Sequence, residues 1–135
     1  PKLKKMLPKF EFRQLNVKPE KGESLENFNK RKQGKYLECD IFLQMSNSEG
    51  FSYASNDALL CGLVNVCTNV GAYYKDVSED CFVKLEWERN GDAKYVQEKL
   101  EYAWNHREEL SKKSRQWYLE NCGFNDWINK MRKLV

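Results

Sequence analysis

Hydrophobic and polar positions alternate along this chain in blocks that change period, and the clearest block runs from Cys39 to Gly71. It opens with an apolar run, Ile41 to Met45, of a length that suits a strand buried on both faces. Polar Ser46-Asn47-Ser48 then turns the chain into Glu49-Gly50-Phe51. A helical spacing follows, with Ala54, Ala58, Leu59 and Leu60 as its expected apolar face. Gly62 suits the helix C-terminus, since it adopts a left-handed conformation without a Cβ clash. A second apolar run, Leu63 to Cys67, closes the block before Thr68-Asn69. Strand, loop, helix, glycine stop and strand make a βαβ unit with a right-handed crossover.

Weaker patterns flank this unit. Leu3, Met6 and Leu7 predict a short helix stopped by Pro8, and the alternation in FEFRQLNV (Phe10 to Val17) predicts a strand. Pro19 and Gly22 mark a loop. Ser24 is placed to cap a helix through Leu25, Phe28 and Tyr36. Cys81 to Leu85 reads as a further strand, and Gly91-Asp92 precedes a helix with Val96, Leu100, Ala103 and Trp104 at helical spacing. Leu110, Trp117 and Tyr118 belong to another helix. Phe124, Trp127, Ile128 and Met131 begin an amphipathic helix over about residues 124–135. Alternating strands and helices place the chain in the α/β class, with a parallel sheet and flanking helices.

The composition agrees. At 135 residues, 41% of them hydrophobic and 13% aromatic, the chain reads as one domain with a proper core. No apolar run approaches the roughly 20 residues that cross a bilayer, and no signal-peptide core is visible. Five cysteines, Cys39, Cys61, Cys67, Cys81 and Cys122, include no C-x-x-C pair, which favours a reduced, cytoplasmic protein over a disulfide framework or a zinc site. The single histidine, His106, lies among charges and reads as a surface residue. The chain begins at Pro1 without a methionine, which points to a processed or excised piece.

Charge is uneven. Residues 1–35 carry eleven Lys or Arg against four acids, although the net charge is only +3. Lys2, Lys4, Lys5 and Lys9 read either as a solvated helix or as a contact for nucleic acid or anionic lipid. No aromatics interleave with them as on a single-strand binding platform, so nucleic acid is not the expected partner. Lys130, Arg132 and Lys133 complement a helix C-terminus, and peripheral membrane association is the lesser alternative.

Candidate chemistry lies at the loop between the first strand of the βαβ unit and its helix. Ligands of open α/β sheets bind beyond the carboxyl ends of strands. The amides of Gly50, Phe51, Ser52 and Tyr53 would be first-turn donors beside the positive end of the helix dipole, a setting that accepts phosphate. Gly50 permits close backbone approach. Glu49 is suited to accept hydrogen bonds from hydroxyls, and Asp57 lies a little over two helical turns further on. A ligand with both phosphate and several hydroxyls fits, and nucleotide sugars have this character. Simpler readings stand beside these. Ser46 and Ser52 either touch phosphate or cap the helix, Asp57 either holds a ribose or is a solvated helix acid, and Phe51 packs the loop. Asn69, Val70, Gly71 and Ala72 either line the pocket or simply end a strand.

The segment SEGFSYASNDALLCGLVNVCTNVGA resembles the donor-binding segment of retaining glycosyltransferases of family 4, which have the two-Rossmann-domain GT-B fold. Ser46, Glu49, Gly50, Phe51, Asp57, Ala58, Leu59, Cys61, Gly62, Leu63, Val64 and Val66 carry the resemblance. Ser52 stands where that family has Gly, Asp57 where it has a second Glu, and Val64 where it has Pro. The resemblance implies a Rossmann-like domain, the C-terminal half of a GT-B enzyme, that lacks its first strand–helix unit and the Arg and Lys that unit supplies. It implies glycosyl transfer from a nucleotide diphosphate sugar with retention. Glu49 would act in catalysis by orienting the sugar, and Ser46, Gly50, Phe51, Ser52, Tyr53 and Asp57 would bind the donor. No metal cofactor is implied, and no Asp-x-Asp motif occurs. Lys9, Arg13 and Lys18 are the candidate substitutes for the missing phosphate partners. The implied partner is an acceptor-binding N-terminal domain or separate chain. A non-catalytic nucleotide-binding or assembly module of the same fold is the alternative, and an unrelated flavodoxin-like domain the third reading.

Overall fold

The computed structural model describes residues 2–49, 52–71, 73, 76–123, 128 and 131–133. Helices α1 (Lys2–Met6) and α2 (Leu25–Leu37) precede strand β1 (Ile41–Gln44), helix α3 (Tyr53–Leu60) and strand β2 (Val64–Thr68). Strand β3 (Val83–Leu85), a 3-10 turn (Trp87–Arg89) and helices α4 (Ala93–Asn105) and α5 (Arg107–Asn121) follow. The three strands form one parallel sheet in the order β1-β2-β3, with Ile41 beside Val64 and Val66 beside Val83. The protein is therefore α/β, a parallel sheet flanked by helices, compatible with a Rossmann-like topology.

Both faces of the sheet are covered. Val64, Val66, Val83 and Leu85 pack with Val96, Leu100 and Ala103 of α4 and with Leu7 just after α1. Cys67 packs in a separate cluster with Leu59 of α3, Tyr73, Val77 and Phe82, bordered by Trp117 and Tyr118 of α5. The alternating side chains of β2 thus enter different cores, and all five of its residues are buried. A continuous apolar central strand is the expected outcome of such double coverage. Among the described residues, no helix is long and apolar enough to cross a membrane.

Local signals set the helix ends. Ser24 Oγ accepts the Asn27 amide at the start of α2, and Asp92 Oδ1 accepts the Tyr95 amide at the start of α4. Gly62 has φ +75°, with its amide bonded to Leu59 O and the Leu63 amide to Ala58 O. These paired bonds end α3 in a Schellman motif and return the chain to β2. Ser111 of α5 donates to Gly62 O, clamping the turn from above.

Several expectations need correction. Ile41 to Gln44 are only half-buried, because β1 pairs with β2 alone among the described residues and so lies at the sheet edge. Residues 10–17 form no strand. Phe10 and Phe12 pack against the core beneath α4, whereas Leu15 packs with Tyr36, Ala58 and Leu63 in another cluster. The segment spends its apolar residues on joining two cores, an arrangement one ladder partner could not satisfy.

The buried face of α3 consists of Ser55, Asn56, Ala58 and Leu59, while Ala54 and Leu60 are exposed. Trp104 is exposed beside the Arg107 guanidinium, 4.3 Å from its ring centre, and takes no place in the α4 core. His106 lies between α4 and α5, exposed and stacked on Tyr102. The expected helix over 124–135 falls mostly outside the described residues, as does much of the segment after Gly71.

Candidate functional site

The connections after β1 and β3 meet the end of β2 at the carboxyl end of the sheet. The chain leaving β1 is held over the end of β2, where Thr68 Oγ1 donates to Ser46 O at 2.5 Å. It also meets the connection after β3, because Asn90 Nδ2 donates to Asn47 Oδ1 at 2.9 Å and contacts Met45 O at 3.3 Å. Residues 45–49 therefore lie across the sheet end before the chain enters α3 at Ser52.

Gln44, the last residue of β1, organises this loop. Its Nε2 donates to Glu49 Oε1 at 2.9 Å and lies 3.2 Å from Ser52 Oγ and 3.4 Å from Ser46 Oγ. One amide thus brings together Ser46, Glu49 and Ser52, three of the residues singled out from sequence. Glu49 is half-buried. Ser52 is the N-cap of α3, its Oγ accepting the Ser55 amide at 3.4 Å. Of its two expected roles, capping is the one the geometry displays. Ser52 O accepts from Asn56 Nδ2 at 2.7 Å and from Ser55 Oγ at 3.1 Å, which tightens the same turn. Tyr53 begins α3 with its ring largely exposed. Gly50 and Phe51 lie outside the described residues.

A buried polar layer supports the first turn of α3. Asn65 of β2 is fully buried, and its Nδ2 donates to Ser55 O and to the Tyr73 hydroxyl. Burial pushes the Tyr73 phenol and the Cys67 thiol far above their ordinary ranges, so both are neutral. Among the described residues, Asn65 Oδ1 and Asn69 Oδ1 are buried with no hydrogen-bond partner. Ser55 and Asn56 are buried where an apolar stripe was expected, and both side chains are satisfied within their own helix turn by donating to Ser52 O.

Asp57 has an ion-pair partner on α2. Its Oδ2 pairs with Lys32 Nζ of α2 at 2.7 Å, both side chains about one-third exposed (33% and 30%). Two of the candidate cations are committed too. Lys9 pairs with Glu101, and Arg13 pairs with Glu11 and with Glu38, which precedes β1 at the opposite end of the sheet. Lys18 enters the hydrogen bonding through its carbonyl, which accepts from Arg31. The basic run of α2 is neutralised by Glu20, Glu23, Glu26, Glu38 and Asp57. The hydrogen bond from Arg31 and one from the Glu20 amide hold the Glu23 carboxyl below its ordinary range.

Sequence reasoning missed Gln44, Thr68 and Asn90. Gln44 had a visible signal, a lone amide at the end of an apolar strand. Asn90 had none, since it lies 43 residues from Asn47. All five cysteines are free thiols, with Cys67 and Cys81 buried. No protein-family model, curated protein or solved structure matches this chain.

Proposed function

We propose that this chain is a donor-binding unit of a glycosyltransferase with a GT-B-type architecture, working on a nucleotide diphosphate sugar with retention. The observation that carries the reading is the Gln44–Glu49–Ser52 constellation. It sets a carboxylate at the mouth of a capped helix N-terminus, beyond the carboxyl ends of parallel strands. In this reading Glu49 orients sugar hydroxyls, and the first-turn amides of α3 stabilise the departing diphosphate. Ser52 serves by holding that turn, and Asp57 by bracing α3 against α2. The open edge of β1 leaves room for a further strand, and an acceptor-binding domain or separate chain would supply the other half of the cleft.

A second reading has its own support. The cations expected near the diphosphate, Lys9 and Arg13, are paired with acids away from Glu49. That favours a nucleotide-binding or assembly module of the same fold without catalysis.

Calorimetric titration of the folded chain with UDP, GDP and their sugar conjugates tests the first reading, with Glu49→Ala as the comparison. The expected result is saturable binding in which the variant loses affinity for the sugar-bearing ligands and keeps it for the bare nucleotides. Equal affinities in both proteins would remove Glu49 from the site. Binding of nucleotide without measurable transfer, once an acceptor half is supplied, would select the module.

A further inference from the structure

The connection after β3, fastened to the candidate loop through Asn90, carries an indole with no ring or cation partner among the described residues. Three tryptophans are described, and two have partners. Trp117 borders the core beneath α3 and α5, and Trp104 is covered by the Arg107 guanidinium. Trp87 is 50% exposed, stands outside the hydrophobic clusters, and has no ring or cation partner among the described residues. Its neighbours are committed: Arg89 stacks on Tyr95 at 3.9 Å and pairs with Asp92, and the Glu86 amide is bonded to the Tyr95 hydroxyl. The turn is therefore held firmly while its indole remains half-exposed.

The same turn is fastened to the candidate site. The Asn90 amide is bonded to Trp87 O, and the Asn90 side chain reaches Met45 O and Asn47, two residues before Glu49. Trp87 and the Glu49 loop thus belong to one rim, joined through a single asparagine. A half-exposed apolar ring on a turn fastened to the Glu49 loop suits a ligand with a flat face. A nucleotide has one, and stacking on an aromatic side chain is how bases gain affinity without a hydrogen-bond code.

We propose that Trp87 is the stacking platform for the heteroaromatic base of the nucleotide bound at this site. The inference rests on the donor-site reading above and adds the base-contacting residue to it. Trp87 touches the base face only, so its contribution is independent of the phosphates.

The test compares wild type, Trp87→Phe and Trp87→Ala in calorimetric titrations with GDP, UDP and inorganic pyrophosphate, with folding checked by circular dichroism. Trp87→Ala is expected to weaken nucleotide binding by about 5- to 150-fold. Trp87→Phe is expected to keep most of the affinity, and pyrophosphate binding should be the same in all three proteins. Unchanged nucleotide affinity in Trp87→Ala would overturn the role of Trp87 and leave the donor site standing. An equal loss for pyrophosphate would also overturn it, since the effect would then be on the loop. Absence of binding by wild type to either nucleotide would overturn the donor-site reading itself.

Discussion

Asp57 Oδ2 lies 2.7 Å from Lys32 Nζ, joining the middle of α3 to α2 across a half-buried seam. The pair fixes how the helix that carries the candidate site sits against its neighbour. It also takes up the acid that the family resemblance would give to a ribose. Partly exposed pairs of this kind contribute little, about 0.2–1 kcal/mol.

Asp57→Asn is therefore expected to lower stability by no more than about 1 kcal/mol. Nucleotide affinity should stay within about twofold of wild type. Urea unfolding and calorimetry on the same samples check both halves. A tenfold loss of affinity with unchanged stability would return Asp57 to the ligand.

Gln44→Leu keeps the side-chain bulk and removes the amide that holds Glu49 and Ser52. Losing a hydrogen bond to a charged group costs about 1.5–3 kcal/mol. The carboxylate is half-buried, so the lower end applies. Affinity for nucleotide sugars should fall by about tenfold, while affinity for the bare nucleotide changes less. Equal affinities for wild type and variant would show that Glu49 is positioned by something else.

Gly62→Ala tests the turn that returns α3 to β2. At φ +75°, a new Cβ would also stand 3.2 Å from Ser111 Oγ, the clamp on the same turn. The left-handed conformation alone costs a non-glycine residue about 1–2 kcal/mol. A loss of about 1–3 kcal/mol in urea unfolding is expected. A variant as stable as wild type would mean that the turn rearranges freely.

Stability should decline in alkaline solution. Burial, chiefly, raises the Tyr36 phenol to about 12 and the Cys81 thiol to about 11. Both therefore stay neutral in the folded state at pH values where the unfolded chain ionises. The stability this contributes is fully present below their unfolded values, near 8.5 for Cys and 10 for Tyr. It is lost as pH rises through the folded values. Tyr36 donates to Ala54 O at 3.1 Å, so Tyr36→Phe should cost about 1 kcal/mol at neutral pH. The variant should also lose less stability than wild type between pH 10 and 12. Parallel curves for the two proteins would exclude Tyr36 as a source of the alkaline loss.

Much of the order of elements was legible along the chain because it depends on neighbours in sequence. Gly62 ends α3, Ser24 caps α2 and Asp92 caps α4 through bonds that span only a few residues. The apolar runs at Ile41, Leu63 and Cys81 announced the three strands, and their separation by helices announced parallel pairing. The loop with Ser46, Glu49 and Ser52 followed from the same logic, since a strand that feeds a helix places that loop at the carboxyl end of the sheet.

Tertiary structure decided the rest, for reasons of distance and competition. Alternation in residues 10–17 suggested a strand, but the chain used Phe10, Phe12 and Leu15 to join two cores. The spacing of Asp57 from Glu49 suggested a shared ligand, and Lys32 of α2 claimed the carboxylate first. Lys9 and Arg13, two of the basic residues expected to await a phosphate, found acids nearby. Asn90 reached the loop only because the chain after β1 crosses the end of β2 to meet the turn after β3. Periodicity and spacing specify local backbone bonds and which face a residue occupies. Which side chains meet across the sheet end depends on every packed layer at once, and no single stretch of the chain encodes it.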